Sequence, residues 1–306
     1  MNVQRFNSRF GAPGRIVFRD GFAGYPNVVL ANQYGSAEVA LLGANVLSYR
    51  PTGHSGVLFR PAKRDGEYNR GDPFHGGIPV CWPQFGNRFS RDLPQHGFAR
   101  KLVFDVRGTE YTEEKTEITL GLKSDGETRK LWPHDFDLEY CISLTMKLNL
   151  TLTTRNTGSA PLEFNCGFHP YFLLRERDPV TVKGLAGLEF FDGVANQDGG
   201  RQEGDLVMDH AVDYIYSLPD TPKHEAAILD PGLRRAIAMV YSGGCRTVVW
   251  NPGPEDKPQS DLAPGDWQHF VCVEPVSDWP GGRTLAPGGE HVLCASIQAH
   301  LDGVAG

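Results

Sequence analysis

The chain has 306 residues, of which 40% are hydrophobic, and carries a formal net charge of −7 with a pI of about 5.8. This hydrophobic content supports a large folded core, and the acidic balance without a long run of like charges argues against a nucleic-acid partner. No run of about 18 or more apolar residues and no signal segment is present, so we expect a cytoplasmic protein without a membrane partner.

Short runs of alternating apolar and polar residues recur along the chain and predict β-strands. In chain order they are RIVFRD (15–20), NVVLANQ (27–33), AEVALLGANVLSY (37–49), KLVFDVRG (101–108), TEITLGLKS (116–124), ISLTMKLNLTLTT (142–154), AIAMVYSG (236–243), RTVVWNPG (246–253), HFVCVEPV (269–276) and HVLCASIQAHL (291–301). The run 142–154 alternates over its whole length and predicts one half-buried strand.

Clusters of glycine, proline, asparagine and aspartate separate these runs, and the chain contains 36 glycines and 22 prolines. Helical periodicity is almost absent, and we find no internal repeat or linker. The sequence therefore predicts an all-β protein, a large antiparallel β-sandwich with long loops. We expect one domain over 1–306, with its core at about 22–301.

Cysteine spacing gives no sign of a metal or redox site. The two nearest of the six cysteines, Cys272 and Cys294, are 22 positions apart. Zinc sites and redox dithiols place their cysteines a few positions apart, so we expect neither a metal nor a disulfide framework. No cofactor-binding motif is present, and we expect no cofactor.

Candidate chemical groups are found in three segments. His169 lies among aromatic residues in CGFHPYFLL, where it should be partly desolvated. Glu274 ends an apolar run, so it is either a base activated by burial or a salt-bridged strand terminus. LPQHGFAR brings Gln95, His96 and Arg100 close together, although an amide and an arginine in a loop are by themselves ordinary surface residues.

Taken together, five separated blocks resemble the glucose-6-phosphate 1-epimerases, the hexose-6-phosphate mutarotases of the aldose 1-epimerase superfamily. The blocks are GGIPVCWPQFG (76–86), LPQHGFAR (93–100), FHPYF (168–172), VVWNPG (248–253) and FVCVEP (270–275). The resemblance covers most of the chain and implies a galactose mutarotase-like β-supersandwich.

The resemblance also implies an isomerase that exchanges the α and β anomers of a hexose 6-phosphate without a metal or a cofactor. By similarity to the family, Glu274 is the general base at the anomeric hydroxyl and His169 is the general acid at the ring oxygen. Gln95, Arg100 and Asp213 match its sugar-binding positions. His96, which the motif places beside Gln95, is expected to support the anomeric oxygen. The partner expected from the family is a small sugar or sugar phosphate, bound by a monomer.

One position departs from the family pattern. The hexose-6-phosphate branch usually has an arginine immediately before GGIPV, but this chain reads DPFHGGIPVCW and has His75 there. Either Arg60, Arg64 or Arg70 compensates for the missing charge, or the enzyme has relaxed towards neutral aldoses. The segment 60–101 holds eight basic and four acidic residues, which favours retained phosphate binding.

Other functions remain open from the sequence. β-Sandwiches also serve as carbohydrate-binding modules, and a homologue could act on unphosphorylated aldoses or sense a sugar phosphate. A binding module has no need of both His169 and Glu274, so the pair favours an enzyme. The sequence does not decide which sugar is used, in which direction the reaction runs, or the oligomeric state.

Overall fold

A computed structural model describes residues 2–63, 65–175, 179–254 and 260–301. Its strands, in chain order, are β1 (Ile16–Asp20), β2 (Pro26–Asn32), β3 (Gly35–Ala40), β4 (Val46–Pro51), β5 (Val80–Cys81), β6 (Asp105–Tyr111), β7 (Thr116–Lys123), β8 (Phe136–Leu144), β9 (Leu148–Asn156), β10 (Leu162–Phe164), β11 (Gly167–Phe168), β12 (Tyr171–Leu173), β13 (Val180–Lys183), β14 (Glu189–Asp192), β15 (Gln197–Arg201), β16 (Leu206–Met208), β17 (Val212–Ser217), β18 (His224–Asp230), β19 (Arg235–Ser242), β20 (Arg246–Asn251), β21 (Phe270–Val276), β22 (Arg283–Leu285) and β23 (Glu290–Leu301).

Helices are few and short. The α-helices are α1 (Val3–Phe10) and α2 (Gly126–Leu131), and the 3₁₀ turns are Phe22–Gly24, Asp65–Glu67, Ala99–Lys101, Pro231–Leu233 and Asp266–His269. Asp125 caps the N-terminus of helix α2, and its carboxylate accepts the backbone N–H of Thr128 in a capping box. In the part of the chain described here, no helix is long and apolar enough to cross a membrane.

The strands form antiparallel sheets, which confirms the predicted fold class. Nine strands pair in the order β16-β13-β18-β19-β23-β9-β8-β7-β6. A second sheet runs β15-β14-β17-β20-β21-β11-β5, with β12 also paired to β21. Strands β1 to β4 form a further sheet, and β10 pairs with β22. A single domain over 1–306 stays a prediction.

The main core lies between the two large sheets. Leu150 and Leu152 of β9 belong to the same buried cluster as Val271 and Val273 of β21. Side chains alternate across a strand, so the even-numbered residues of β21, among them Glu274, face away from this core. They are buried all the same, because loops between β4 and β6 lie over the second face of the sheet. That covered face holds the site described below.

The prediction of one strand over 142–154 is wrong. The structure has a hairpin there, β8 followed by β9, with Leu144 paired to Leu148 across a three-residue turn. Thr145 donates its backbone N–H to the carbonyl of Lys147, and Met146 at the tip is 60% exposed. Because the turn has three residues, the apolar residues before and after it all fall at even-numbered positions. The alternation of apolar and polar residues therefore continues through the turn, and the sequence resembles that of one strand.

The prediction of one strand over 37–49 is wrong for a similar reason. Strands β3 and β4 are joined by a turn in which Gly43 and Ala44 have positive φ angles of 72° and 50°. Left-handed backbone of this kind ends a strand. In 101–108 the strand begins only at Asp105, and Lys101 belongs to a 3₁₀ turn.

Candidate active site

A cavity of about 560 Å³ opens on the covered face of the β15-to-β5 sheet. Its lining combines loop residues from between β4 and β6 with side chains from β17, β20 and β21. All seven residues that the sequence predicted for the site line this cavity, namely His75, Gln95, His96, Arg100, His169, Asp213 and Glu274.

The register of the sheet brings His169 and Glu274 together. Strand β12 pairs Tyr171 with Cys272 of β21, and β11 pairs with β21 in the same antiparallel register. His169, two positions before Tyr171, is therefore opposite Glu274, two positions after Cys272. Nε2 of His169 lies 3.4 Å from Oε2 of Glu274. At this distance both groups can reach the same small bound ligand.

Burial sets the ionisation of this pair. The side chains of His169 and Glu274 are only 10% and 1% exposed. Burial raises the pKa of Glu274 well above its usual value, and the carboxylate of Asp213 adds to the effect. Burial lowers the pKa of His169 well below its usual value, with smaller contributions from His96 and Arg100. Both directions favour the uncharged forms in the empty cavity.

Three buried polar atoms at the cavity lack a hydrogen-bond partner among the described residues. They are Nδ1 of His169, Oε2 of Glu274 and Nε of Arg100. Buried polar atoms without a partner are rare in folded proteins. Such atoms also occur away from the cavity, for example at Tyr140 and His291, so they do not by themselves mark a ligand site.

His96 is held in a defined tautomer. Its Nδ1 accepts the backbone N–H of Gly86 at 3.2 Å and lies 3.3 Å from Sγ of Cys81. Burial, aided by the charges of Arg100 and His75, lowers the pKa of His96 to about 3. A neutral imidazole with Nδ1 as acceptor carries its proton on Nε2, which makes His96 a hydrogen-bond donor at neutral pH. Its φ of 60° is a left-handed conformation of the kind that clusters at functional sites.

A tight turn explains how the predicted loop residues meet. Gly97 has a φ of 69°, and a Cβ there would lie 2.0 Å from the carbonyl oxygen of Trp82, so only glycine fits. The turn directs Gln95 and His96 to the same cavity as Arg100. Nη2 of Arg100 donates to the carbonyl of Gln95 at 2.9 Å, which holds the guanidinium beside the loop.

Aromatic rings support the general acid candidate. Tyr171 stacks on His169 with ring centroids 4.8 Å apart and planes inclined by 12°. Trp250 meets the same imidazole edge-on at 5.9 Å. Burial raises the pKa of Tyr171 well above its usual value, so the phenol stays neutral. The rings exclude water from the acid–base pair and offer apolar faces to a sugar.

Asp213 lies on the Glu274 side of the cavity. Burial raises the pKa of Asp213, while the charge of Arg88 acts to lower it. A Cβ on Gly193 would lie 2.3 Å from Oδ2 of Asp213, so a glycine directly after β14 makes room for the carboxylate. Arg88 stacks over Trp279 at 5.2 Å and lines the same end of the cavity.

His75 is paired with an aspartate that the sequence did not reveal. Nδ1 of His75 lies 2.6 Å from Oδ1 of Asp261, and the backbone N–H of His75 donates to Oδ2 at 2.7 Å. The two residues are 186 positions apart. No local pattern marks Asp261, and only the fold brings it to the cavity.

Of the arginines considered as substitutes at His75, Arg60 and Arg70 do not lie in the cavity lining. Arg60 lies 3.7 Å from Glu38 and lines a separate depression. Arg70 donates from Nε to the carbonyl of Lys101 at 3.1 Å. Arg64 lies outside the described residues. The cations that do line the cavity are Arg88, Arg100 and Lys101, of which Arg88 and Lys101 were counted in the basic segment but not assigned to the site.

One group of potential metal ligands lies at the site. One donor atom each from His169, Cys272 and Glu274 lie within 4.8 Å of one another. A metal ligand must be deprotonated, but burial raises the pKa of the Cys272 thiol and of the Glu274 carboxyl well above their usual values. The environment therefore favours the protonated forms of two of the three ligands.

We expect exhaustive chelation to leave activity unchanged, because acid–base catalysis by His169 and Glu274 needs only protons. The measurement is the rate of sugar anomer exchange before and after treatment with a chelator, with Cys272→Ser as a matched variant. Loss of activity that returns on adding Zn²⁺, together with an inactive Cys272→Ser protein, would contradict this expectation.

Comparison with known proteins gives a consistent picture. A family model described as aldose 1-epimerase matches residues 26–297. A Salmonella typhimurium protein provisionally named glucose-6-phosphate 1-epimerase is 31% identical over 251 residues, which cover 81% of this chain and 82% of that protein. Its provisionally named Escherichia coli counterpart is also 31% identical over 251 residues, with 81% of each chain covered.

Solved structures agree in fold. A crystal structure described provisionally as a mutarotase, from Salmonella typhimurium, superposes with a TM-score of 0.84 at 27% identity and covers 94% of both chains. A galactose mutarotase-like protein from Clostridium acetobutylicum has a TM-score of 0.73 at 17% identity, with 94% of this chain and 98% of that chain covered. At that identity the second likeness concerns the fold alone.

Proposed function

The chain belongs to the aldose 1-epimerase family and is a sugar isomerase, and we propose that it exchanges the α and β anomers of glucose 6-phosphate. The observation that carries the proposal is the opposed pair of His169 and Glu274, 3.4 Å apart at a cavity lined by cations. A binding module would not need this pair. The relatives named for glucose 6-phosphate support the choice of substrate.

Ring opening needs one base and one acid. Glu274 takes the proton from the anomeric hydroxyl while Nε2–H of His169 gives a proton to the ring oxygen. The bond from C1 to the ring oxygen breaks and C1 becomes an aldehyde carbon. Rotation about the bond between C1 and C2 presents the other face, and the two residues return the protons on closure. Protons and electrons balance without a further reactant.

The pair works with one proton in total, held by His169 while Glu274 is ionised. Burial disfavours this charged arrangement in the empty cavity. A sugar hydroxyl that donates to Glu274 stabilises its carboxylate, and a ring oxygen that accepts from His169 stabilises the imidazolium. The substrate therefore supplies a partner for Oε2 of Glu274, a buried atom without a hydrogen bond in the empty cavity.

We expect the rate to be nearly constant across neutral pH. Because the pKa of His169 is lowered, the pair gains a second proton only well below pH 6.5. Because the pKa of Glu274 is raised, the pair keeps its one proton well above pH 4.5. The pH range in which the pair holds one proton is therefore wide. The gain of a second proton and the loss of the first are titration steps of the pair as a unit, not of either residue alone.

The test is kcat/KM for glucose, which does not ionise in this range, at pH values from about 5 to about 9. A plateau at neutral pH is expected. A loss of activity on the acidic side of the profile that is centred at or above about pH 6.5, the ordinary value for histidine, would contradict the lowered pKa of His169.

The distribution of charge in the cavity indicates on which side the 6-phosphate of the substrate would bind. The permanent cation that acts on His169 is Arg100, whereas the charge that acts on Glu274 is the carboxylate of Asp213. In a hexopyranose the carbon that bears the 6-phosphate is attached next to the ring oxygen, on the side away from C1. If His169 meets the ring oxygen and Glu274 the C1 hydroxyl, the phosphate points towards Arg100, Lys101 and His75.

Replacing Lys101 tests this placement. We expect Lys101→Met to lower the ratio of kcat/KM for glucose 6-phosphate to that for glucose by roughly ten- to a hundredfold, because a charge-assisted contact contributes about 1.5–3 kcal/mol. Lys130→Met is the matched control, since Lys130 is exposed on α2 and pairs with Glu127. An unchanged ratio in Lys101→Met would place the phosphate elsewhere.

His75 favours a second candidate function, the mutarotation of unphosphorylated aldoses. A histidine cannot make the two-pronged contact with phosphate that an arginine makes. Comparable kcat/KM values for glucose and glucose 6-phosphate in the native protein would favour this candidate.

A further inference from the structure

We propose that Arg88, which no sequence motif assigns to the site, is a specificity-determining residue that binds the hydroxyl group at C2 of the sugar together with Asp213. The proposal rests on the proposed function and extends it to the end of the cavity opposite the phosphate. It predicts that Arg88 lets the enzyme distinguish a sugar with a C2 hydroxyl from the corresponding 2-deoxy sugar.

Three contacts hold the Arg88 side chain in place. Its Nη2 donates to Oδ1 of Asn196 at 2.8 Å. The central carbon of its guanidinium lies 4.9 Å from the ring centroid of Phe191 and 5.2 Å from that of Trp279. These two rings also contact each other, with centroids 5.5 Å apart. A guanidinium is attracted to aromatic faces, so Arg88 is ordered before a ligand arrives and loses less freedom on binding it.

The order of the strands gives the place of Arg88 relative to the acid–base pair. The sheet runs β14-β17-β20-β21, and both β11 and β12 pair with β21. Phe191, against which Arg88 packs, belongs to β14, Asp213 belongs to β17 and Glu274 belongs to β21. His169 lies between β11 and β12. Across the sheet the order is therefore Arg88, Asp213, Glu274, His169.

The substituents of a hexopyranose can follow the same order. If His169 meets the ring oxygen and Glu274 meets the C1 hydroxyl, the next substituent in the direction away from the ring oxygen is the hydroxyl at C2. This hydroxyl then comes to the part of the cavity lined by Asp213 and Arg88. The 6-phosphate lies at the opposite end of the same molecule.

Arg88 and Asp213 both have unused hydrogen-bonding capacity. Within the part of the chain that the structure describes, no direct ion pair joins the two side chains, although both line the cavity. No described residue donates a hydrogen bond to the carboxylate of Asp213, and the guanidinium of Arg88 donates only to Asn196. The charge of Arg88 nevertheless acts on the carboxyl group of Asp213. The two groups are therefore neighbours with room for a small group between them.

A hydroxyl group suits this pair. A carboxylate can only accept hydrogen bonds and a guanidinium can only donate them, whereas a hydroxyl does both at once. It can donate to Asp213 and accept from Arg88. An ammonium group at C2 would be repelled by Arg88, and a second phosphate would be repelled by Asp213. The pair of opposite charges therefore favours an uncharged hydroxyl over either ionic substituent.

Arg88 also favours the ionised form of Asp213 that accepts this hydrogen bond. Burial raises the pKa of Asp213, the charge of Arg88 lowers it, and the nearby Asp192 raises it again. Removing the guanidinium would leave only the two influences that favour the protonated carboxyl. Arg88 thus acts on the hydroxyl directly and on the acceptor beside it.

The test compares two substrates that differ only at C2. Glucose 6-phosphate has the hydroxyl and 2-deoxyglucose 6-phosphate lacks it. The quantity measured is the ratio of kcat/KM for glucose 6-phosphate to that for the 2-deoxy sugar, from NMR exchange between anomers, in native protein and in Arg88→Met. The intrinsic reactivities of the two sugars and the contribution of their phosphate cancel when the ratio is compared between proteins. Thermal unfolding of each variant checks that it is folded.

We expect Arg88→Met to lower this ratio about tenfold, the effect of losing one charge-assisted hydrogen bond. The rate should fall for glucose 6-phosphate and hardly change for the 2-deoxy sugar. Asn196→Gly should lower the ratio by a smaller factor, because the guanidinium loses its anchor while glycine tolerates the φ of 54° at that position.

Arg91→Met is the matched control. Arg91 is exposed in the same loop as Arg88 but lies outside the cavity lining, so its replacement should leave the ratio unchanged. An unchanged ratio in Arg88→Met would overturn the proposal, even if the rates for both sugars fell together, because a purely structural role lowers both alike.

Calorimetry separates this proposal from the proposed function. The Kd values of the two sugar phosphates are measured for native protein and for Arg88→Met. If the native protein exchanges anomers but the variant changes neither the ratio of kcat/KM nor the ratio of Kd, the role of Arg88 is refuted and the function stands. If the native protein exchanges no anomers but its preference in Kd for glucose 6-phosphate falls about tenfold in the variant, the function is refuted and the role of Arg88 stands.

Discussion

Replacing Glu274 by glutamine is expected to lower kcat for anomer exchange by at least ~10²-fold, because an amide keeps the shape of the side chain but cannot take the anomeric proton. Sugar binding should remain measurable, since Gln95, Arg100 and Asp213 still line the cavity. The measurement is kcat and KM by polarimetry on freshly dissolved α-glucose, with Kd from calorimetry.

Glu38→Gln is the matched control for this variant. Glu38 is also buried, but it accepts from Arg19 and Asn27 in the four-stranded sheet, outside the cavity. We expect its replacement to lower the free energy of unfolding and to leave kcat near the native value. A Glu274→Gln enzyme with near-native kcat would show that another group is the base.

The second large effect is expected for His169→Asn, again at least ~10²-fold in kcat, because asparagine cannot deliver a proton to the ring oxygen. The double variant, His169→Asn with Glu274→Gln, should have a kcat only slightly lower than that of the slower single variant. Both replacements interrupt the same proton exchange, and residues that act as a unit are not additive. The measurement is a double-mutant cycle on kcat/KM.

His224→Asn provides the comparison for a buried histidine outside the cavity. His224 of β18 contacts Thr221 at 3.3 Å and takes no part in the site. Its replacement should affect stability only. If the double variant lowers kcat/KM by the product of the two single fold-losses, the two residues do not share one proton exchange and the mechanism is wrong.

Much of the sheet structure could be predicted from alternation alone. The runs at 116–124, 236–243, 246–253 and 269–276 coincide with β7, β19, β20 and β21, because each places one apolar face on the core. The turn at Thr145–Lys147 escaped detection because alternation continues through it in phase.

Several strands between β12 and β18 carry no such signal. Strand β15 contains Asp198, Gly199 and Gly200, which disfavour strands in isolation. The structure explains the choice of residue, because a Cβ on Gly199 would lie 2.1 Å from the ring of Phe190 on the neighbouring strand. The requirement comes from packing between strands and is not visible in either segment alone.

The site shows the same division. His169 and Glu274 lie in short motifs, so they could be predicted from the resemblance, and the register of β12 and β21 accounts for their meeting. Asp261 lies in a loop without a motif and reaches His75 only through the fold. Lys101 adjoins a motif but was not distinguished from its basic neighbours until the structure assigned it to the cavity lining.

The most direct test of the central claim is two-dimensional NMR exchange between the α and β anomers of glucose 6-phosphate, with native protein and with Glu274→Gln at equal concentration. We predict exchange cross-peaks with native protein, at a rate proportional to enzyme concentration, and a rate lower by at least ~10²-fold with the variant. An exchange rate in the presence of native protein no greater than that of the buffer alone, for both glucose 6-phosphate and glucose, would contradict the account.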